Sequence, residues 1–131
     1  MPDRPEGLYR VQLANLQKLC EEATNLSIDE LAGNARRHAN LASRINKENK
    51  FVNDKLADAI ASSIEQVAQG WNQMDDSAKF WLVGAIKYFV DSDDDAADFK
   101  SPIGFEDDVE ILNACLIFAR LDHLCINVED Y

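Results

Sequence analysis

The stretch FWLVGAIKYFVDSDDDAADFKSPIGFEDD, residues 80–108, decides the fold. Its first part, residues 80–90, is apolar except for Lys87, whereas its second part holds seven aspartates and one glutamate against the single base Lys100. A helix that is apolar on almost all sides lies inside a soluble bundle, and a second apolar segment follows the acids. The sequence therefore predicts two buried helices joined by an ordered acidic loop, residues 91–108.

Three amphipathic helices are predicted upstream of this pair. Apolar residues recur at helical spacing over residues 8–23 and 51–69. Between them, Ser27 and Glu30 have the spacing of a capping box, which predicts that a helix begins at Ile28.

The remaining signals complete the predicted architecture. Asp75 or Asp76 is expected to cap the first buried helix, residues 1–7 to form a loose lead-in, and residues 122–131 to form a short turn or a tail. No strand pattern, repeat or nucleotide-binding motif occurs. The predicted fold is an all-α, single-domain bundle of about five helices spanning residues 1–131.

Charge is distributed unevenly along the chain. Residues 1–74 carry 9 Lys and Arg and 10 Asp and Glu, and residues 75–131 carry 4 and 14, so the net charges of −1 and −10 give the total of −11. Such a field disfavours direct binding of nucleic acids and anionic membranes and favours cations or a basic protein surface. Arg36, Arg37 and Arg44 could form a phosphate patch, but a solvated helix face is the preferred interpretation.

Neither a membrane span nor a signal peptide is predicted, and a cytoplasmic protein is expected. The longest apolar run is shorter than the roughly 18 residues that a span needs, and the start MPDRPEG has acids and prolines where a signal peptide has basic and then apolar residues. Cys20 and Cys115 fall on apolar helix faces, so buried thiols are expected. His38 and His123 are far apart in sequence, and nothing local pairs them with a cysteine.

Three interpretations of the acidic loop remain open. It begins with the DxDxD rhythm of an EF-hand, but Ala96, Asp98 and Pro102 occupy positions 6, 8 and 12, where an EF-hand needs other residues, so that motif is excluded. A different calcium, magnesium or manganese site is the first interpretation. The second is structural, with carboxylates capping helix ends. The third is a pair of carboxylates that performs acid–base chemistry.

The loop also resembles the signature YFxxPxDxxPDFxPxxGYxDD of the YkvA-like family, a small helical domain of unknown function. The matching residues are Tyr88, Phe89, Asp94, Asp98, Phe99, Gly104, Phe105, Asp107 and Asp108. Ser92, Ala97 and Ser101 replace the prolines of the family. The similarity covers residues 80–120 and implies a unit of helix, acidic turn and helix, with no activity attached.

The function that we expect is non-enzymatic: a protein-interaction or regulatory domain that binds a basic protein partner through its acidic half. The carboxylates expected to contact this partner are Asp91, Asp93, Asp95, Glu106 and Glu110. The alternative is a divalent-metal-binding domain, with or without hydrolytic chemistry. The expected ligands are the acids of the family signature: Asp94, Asp98, Asp107 and Asp108. Homo-oligomerisation stays open.

Overall fold

The computed structural model describes residues 4–50, 52–91 and 105–131, and these residues form an all-α bundle. Its five α-helices are α1 (Arg10–Ala23), α2 (Ile28–Asn46), α3 (Asp54–Gln69), α4 (Asp76–Asp91) and α5 (Glu106–Phe118). Short 3-10 turns occupy Trp71–Gln73, Asp122–Leu124 and Val128–Asp130. The prediction of an all-α bundle of about five helices is confirmed, and no helix within the described ranges is long and apolar enough to cross a membrane.

Three helices begin at side-chain caps, and two of these caps, Ser27 and Asp75, are among those that the sequence predicts. Ser27, Asn53 and Asp75 each accept a hydrogen bond from the backbone N–H three residues further on, at 3.0, 3.1 and 2.8 Å. Each cap satisfies one of the backbone donors that a helix start leaves unpaired, which stabilises the helix by about 1 kcal/mol. Asp75 is thus the cap of α4, and Asp91, predicted to lie in the acidic loop, is instead the last residue of α4.

Helix α4 is the central element of the bundle. It packs against α1, α2 and α5, and α2 in turn packs against α3. Eight of its residues are buried: Ala78, Trp81, Leu82, Val83, Gly84, Ala85, Ile86 and Phe89. The run predicted to be buried on almost all sides therefore occupies the core.

Helix α1 approaches α4 closely at one glycine. A Cβ atom built on Gly84 would overlap the Sγ of Cys20 and would lie 3.0 Å from the backbone N of the same residue. The Cys20 thiol, fully buried, also donates a hydrogen bond to the carbonyl of Trp81 at 3.8 Å. Glycine at position 84 is therefore required for the spacing between these two helices.

Replacing Gly84 with alanine tests this contact. Overpacking of a core costs about 1–3 kcal/mol, more than the roughly 0.5–1 kcal/mol that alanine contributes to a helix interior. We expect Gly84→Ala to lower the free energy of unfolding, measured by chemical denaturation. Gly33→Ala in α2 is the matched control, because its Cβ would meet only the Nη1 of Arg37 at 3.7 Å, so this variant should be stabilised. Equal effects of the two substitutions would contradict the close approach.

The C-terminal residues are fastened to the bundle by side chains of α3 and α5. The Asn113 amide donates to the carbonyl of Ile126 at 2.8 Å and accepts from the N–H of Ile126 at 2.9 Å, and Ser63 donates to the carbonyl of Leu124 at 2.9 Å. The region predicted to be a short turn or a tail thus forms two 3-10 turns held against the helices.

Removing the Asn113 amide should release this segment. Asn113→Ala leaves both backbone groups of Ile126 without their partner, at a cost of about 1–3 kcal/mol. We expect hydrogen exchange at the Ile126 amide, measured by NMR, to accelerate by about 5- to 150-fold, the factors that correspond to this cost. Asn40→Ala, at an exposed position of α2, should leave that exchange rate unchanged; the same rate in Asn113→Ala and the parent protein would refute the contact.

Candidate functional site

The nine acids that the sequence singles out divide into two groups. Asp93, Asp94, Asp95 and Asp98 lie outside the described residues, so their predicted roles stay predictions. The other five lie in α4 and α5: Asp91, Glu106, Asp107, Asp108 and Glu110. The end of α4 and the start of α5 are close together, because the rings of Phe89 and Phe105 lie 5.9 Å apart.

The first turn of α5 places neighbouring carboxylates in different surroundings. Phe105 is fully buried just before the helix, Glu106 is half-buried, Asp107 is exposed, and Asp108 is only 2% exposed. Successive residues of a helix point about 100° apart, so Asp107 and Asp108 face solvent and protein interior respectively. The acidic first turn is favourable because carboxylates stabilise the positive end of a helix dipole.

Asp91 is partly neutralised within the chain. Its carboxylate forms an ion pair with the Nζ of Lys87, one turn earlier in α4, at 2.7 Å. An acid at a helix C-terminus faces the negative end of the dipole, and Lys87 offsets that repulsion. Asp91 therefore offers less charge to a partner than the sequence suggests.

Glu110 is linked to the start of α1 through the side chain of Gln12. The Gln12 side chain accepts a hydrogen bond from the backbone N–H of Tyr9 at 2.8 Å and donates one to the Oε1 of Glu110 at 3.3 Å. This amide joins the start of α1 to α5. The Tyr9 side chain is 75% exposed.

An exposed face of α5 combines acids with apolar surface. Asp107, Glu110, Ala114 and Ile117 follow one another at spacings of three and four residues, so they share one side of the helix. Both acids are exposed, and Ile117 is 55% exposed although it is a large aliphatic residue. Ala114, between them, is buried, so the exposed part of this side, named the α5 face, consists of Asp107, Glu110 and Ile117.

Metal binding receives no support from the described part of the chain. Within residues 4–50, 52–91 and 105–131, no group of three or more His, Cys, Asp or Glu side chains has an arrangement that could hold a metal ion. The predicted ligand set also needs Asp94 and Asp98, which lie outside these ranges. The divalent site remains a prediction.

His38 is a buried residue whose position sequence reasoning missed. It is 5% exposed, and its ring meets the rings of Phe89 and Phe105 edge-on, with centroids 4.8 and 6.0 Å away. Helical spacing could have predicted the burial of His38, because position 38 follows Leu31 by seven residues and Ala35 by three, on the buried side of α2. His38 thus connects α2 with α4 and the start of α5.

The cysteines are unsuited to nucleophilic chemistry. Burial raises the pKa of the Cys20 thiol to about 12, raises that of Cys115 well above its ordinary value, and also raises the pKa of Cys125. All three are free thiols and stay protonated at neutral pH, whereas the thiolate is the reactive form. The expected burial of Cys20 and Cys115 is confirmed.

The partly exposed Arg36 side chain forms ion pairs and hydrogen bonds with α3 and is therefore not free to bind phosphate. Its Nε and Nη2 donate to the two carboxylate oxygens of Glu65 at 3.0 and 2.7 Å, and other bonds reach Asp58 and Ser62. A bidentate pair of this kind fixes geometry as well as charge. It connects α2 to α3 and holds the pKa of Glu65 below its ordinary value, chiefly through the hydrogen bond from Arg36.

The lowered pKa of Glu65 makes its contribution to stability dependent on pH. The contribution is fully present above the ordinary carboxyl pKa of about 4.3 and is lost as pH falls through the lower folded-state value. We expect Glu65→Gln to reduce the free energy of unfolding at neutral pH by about 0.5–1 kcal/mol, since the pair is partly exposed.

Denaturation at a series of pH values measures this effect. The difference between the parent protein and Glu65→Gln should shrink as the solution becomes more acidic than the carboxyl pKa. Glu48→Gln, at an exposed site, is the control and should show little effect at any pH. A difference that is constant down to strong acid would contradict the role given to the ion pair.

In comparisons with protein-family models, curated proteins and solved structures, nothing matches this chain.

Proposed function

We propose that the protein is a non-enzymatic interaction domain that binds a basic segment of another protein through the α5 face. The observation that carries this proposal is the exposure of Ile117 on the same side of α5 as the exposed carboxylates of Asp107 and Glu110. The core of an interface is more apolar than its rim, and charges at the rim set specificity.

The charge of the region indicates the chemistry of the partner. Residues 105–131 contain seven acids and one Lys or Arg, a net charge of −6. A negative field of this size accelerates the approach of a positive partner and is screened by salt over about 8–10 Å. The same field opposes contact with nucleic acid or anionic lipid, so a protein segment rich in Lys and Arg is the favoured occupant.

A second copy of the chain fits this face less well. A symmetric dimer formed through the α5 face would place Asp107 and Glu110 near the same acids of the other copy. Like charges brought together at an interface are destabilising. A basic partner is therefore favoured over self-association at this surface.

The proposed role is regulatory. An acidic domain that occupies the basic surface of a nucleic-acid-binding protein imitates phosphate charge and would inhibit that protein. A cytoplasmic location is part of the proposal. The resemblance of residues 80–120 to the YkvA-like family supports an acidic unit between two helices and attaches no activity to it.

Charge reversal on the α5 face tests the proposal. The probe is a synthetic amphipathic helix of Lys, Arg and Leu, and its binding is measured by fluorescence anisotropy at about 50 and 300 mM salt. We expect weaker binding at the higher salt, and a loss of about tenfold or more in Asp107→Lys/Glu110→Lys. Ile117→Ser should weaken binding at both salt concentrations, since it removes apolar contact.

A matched control separates the α5 face from overall charge. Glu21→Lys/Glu22→Lys changes the net charge by the same amount, and both positions are exposed. They lie nine and ten residues further along α1 than Gln12, a distance of about 14 Å at 1.5 Å per residue. This variant should retain most of the affinity. Equal losses of affinity in the two double variants, or no binding by the parent protein, would refute the proposal. If analytical ultracentrifugation detected dimers of the parent protein that charge reversal abolished, the α5 face would instead be the contact with a second copy.

A further inference from the structure

A cleft of about 430 Å³ opens where α3 and α5 end and α4 begins. Its lining exposes more polar than apolar surface: the amides of Gln69 and Gln73 contribute polar groups, and Met74, Phe118 and Leu121 contribute apolar ones. Pockets that hold small molecules have volumes of about 300–1,000 Å³, and the mixed lining suits a ligand that is itself partly polar. The cleft contains no residue of the α5 face, so it is a separate feature.

Arg120 lines this cleft with a backbone conformation that favours glycine. Its φ is 63°. It follows the C-cap of α5, where its N–H donates to the carbonyl of Ile117 at 3.0 Å and the N–H of Leu121 donates to that of Leu116 at 2.8 Å. This is a Schellman motif, in which glycine is usual at the left-handed position and other residues cost about 1 kcal/mol. Such strain is found preferentially at functional sites.

The charges that line the cleft are of both signs. Arg120 is the only Lys or Arg in residues 105–131, and His123 also lines the cleft. Asp75 supplies a carboxylate from the start of α4, with its Oδ1 accepting the capping hydrogen bond from Ala78. The carbonyl end of α3 at Gly70 adds partial negative charge.

We propose that this cleft binds a free amino acid with an apolar side chain. The carboxylate of the ligand would pair with Arg120 and His123, its ammonium group with Asp75, and its side chain would contact Phe118 and Leu121. The net charge of −11 repels anions, whereas a zwitterion is neutral overall and does not suffer that repulsion. Both charged groups of the cleft are then matched by one small molecule.

The first test measures binding of L-leucine, L-methionine and L-phenylalanine by calorimetry and by saturation-transfer NMR. We expect at least one of them to bind with a dissociation constant of about 10 μM to 1 mM. Analogues identify the groups that are recognised: the N-acetyl form lacks the ammonium and the amide form lacks the carboxylate. Each should bind roughly 10- to 100-fold more weakly, because each loses a charge-assisted hydrogen bond.

Two variants connect binding to the residues. Arg120→Gly removes the guanidinium and relieves the left-handed backbone, so it should weaken binding at least about tenfold while raising the unfolding temperature. Asp75→Asn keeps a good N-cap and should also weaken binding, whereas Arg44→Gln, a loss of charge elsewhere, should not. Absence of binding by all three amino acids, or full binding by Arg120→Gly, would overturn the proposal.

Discussion

The contact between α1 and α4 at Gly84 is the constraint on which the bundle depends. Because the backbone of Cys20 comes within reach of a Cβ at this position, the two helices approach more closely than helices separated by side chains. Helix α4 can then be covered by α1, α2 and α5 together. Because the core-facing side of α5 packs against α4, Asp107, Glu110 and Ile117 on its other side face outward.

Local sequence signals were enough to predict the class of fold. The apolar run of α4, the cap at Ser27 and the apolar spacing of α3 are each encoded within a few turns of helix, and all three occur as expected. Features that join distant residues could not be predicted in this way. Gln12 and Glu110 are 98 positions apart, and their contact depends on how α1 and α5 are arranged around α4.

Within the candidate site, identical residue types have different roles. Asp107 and Asp108 look equivalent in sequence, yet one is exposed and the other is buried, because the helix turns by about 100° per residue. Ile117 shows the opposite case, because it is 55% exposed although a large aliphatic residue in an apolar helix is usually buried. Burial therefore decides which acids can meet a partner, and it identifies an apolar contact that charge alone does not predict.

The close approach at Gly84 is tested most directly by a double-mutant cycle with Cys20→Ala. Removing the thiol takes away part of what the new Cβ would overlap, so Cys20→Ala should relieve part of the damage done by Gly84→Ala. We expect a coupling free energy of about 1 kcal/mol or more between the two sites, measured by chemical denaturation of the four proteins. Costs that add to within about 0.3–0.5 kcal/mol would contradict the contact and the arrangement of helices built on it.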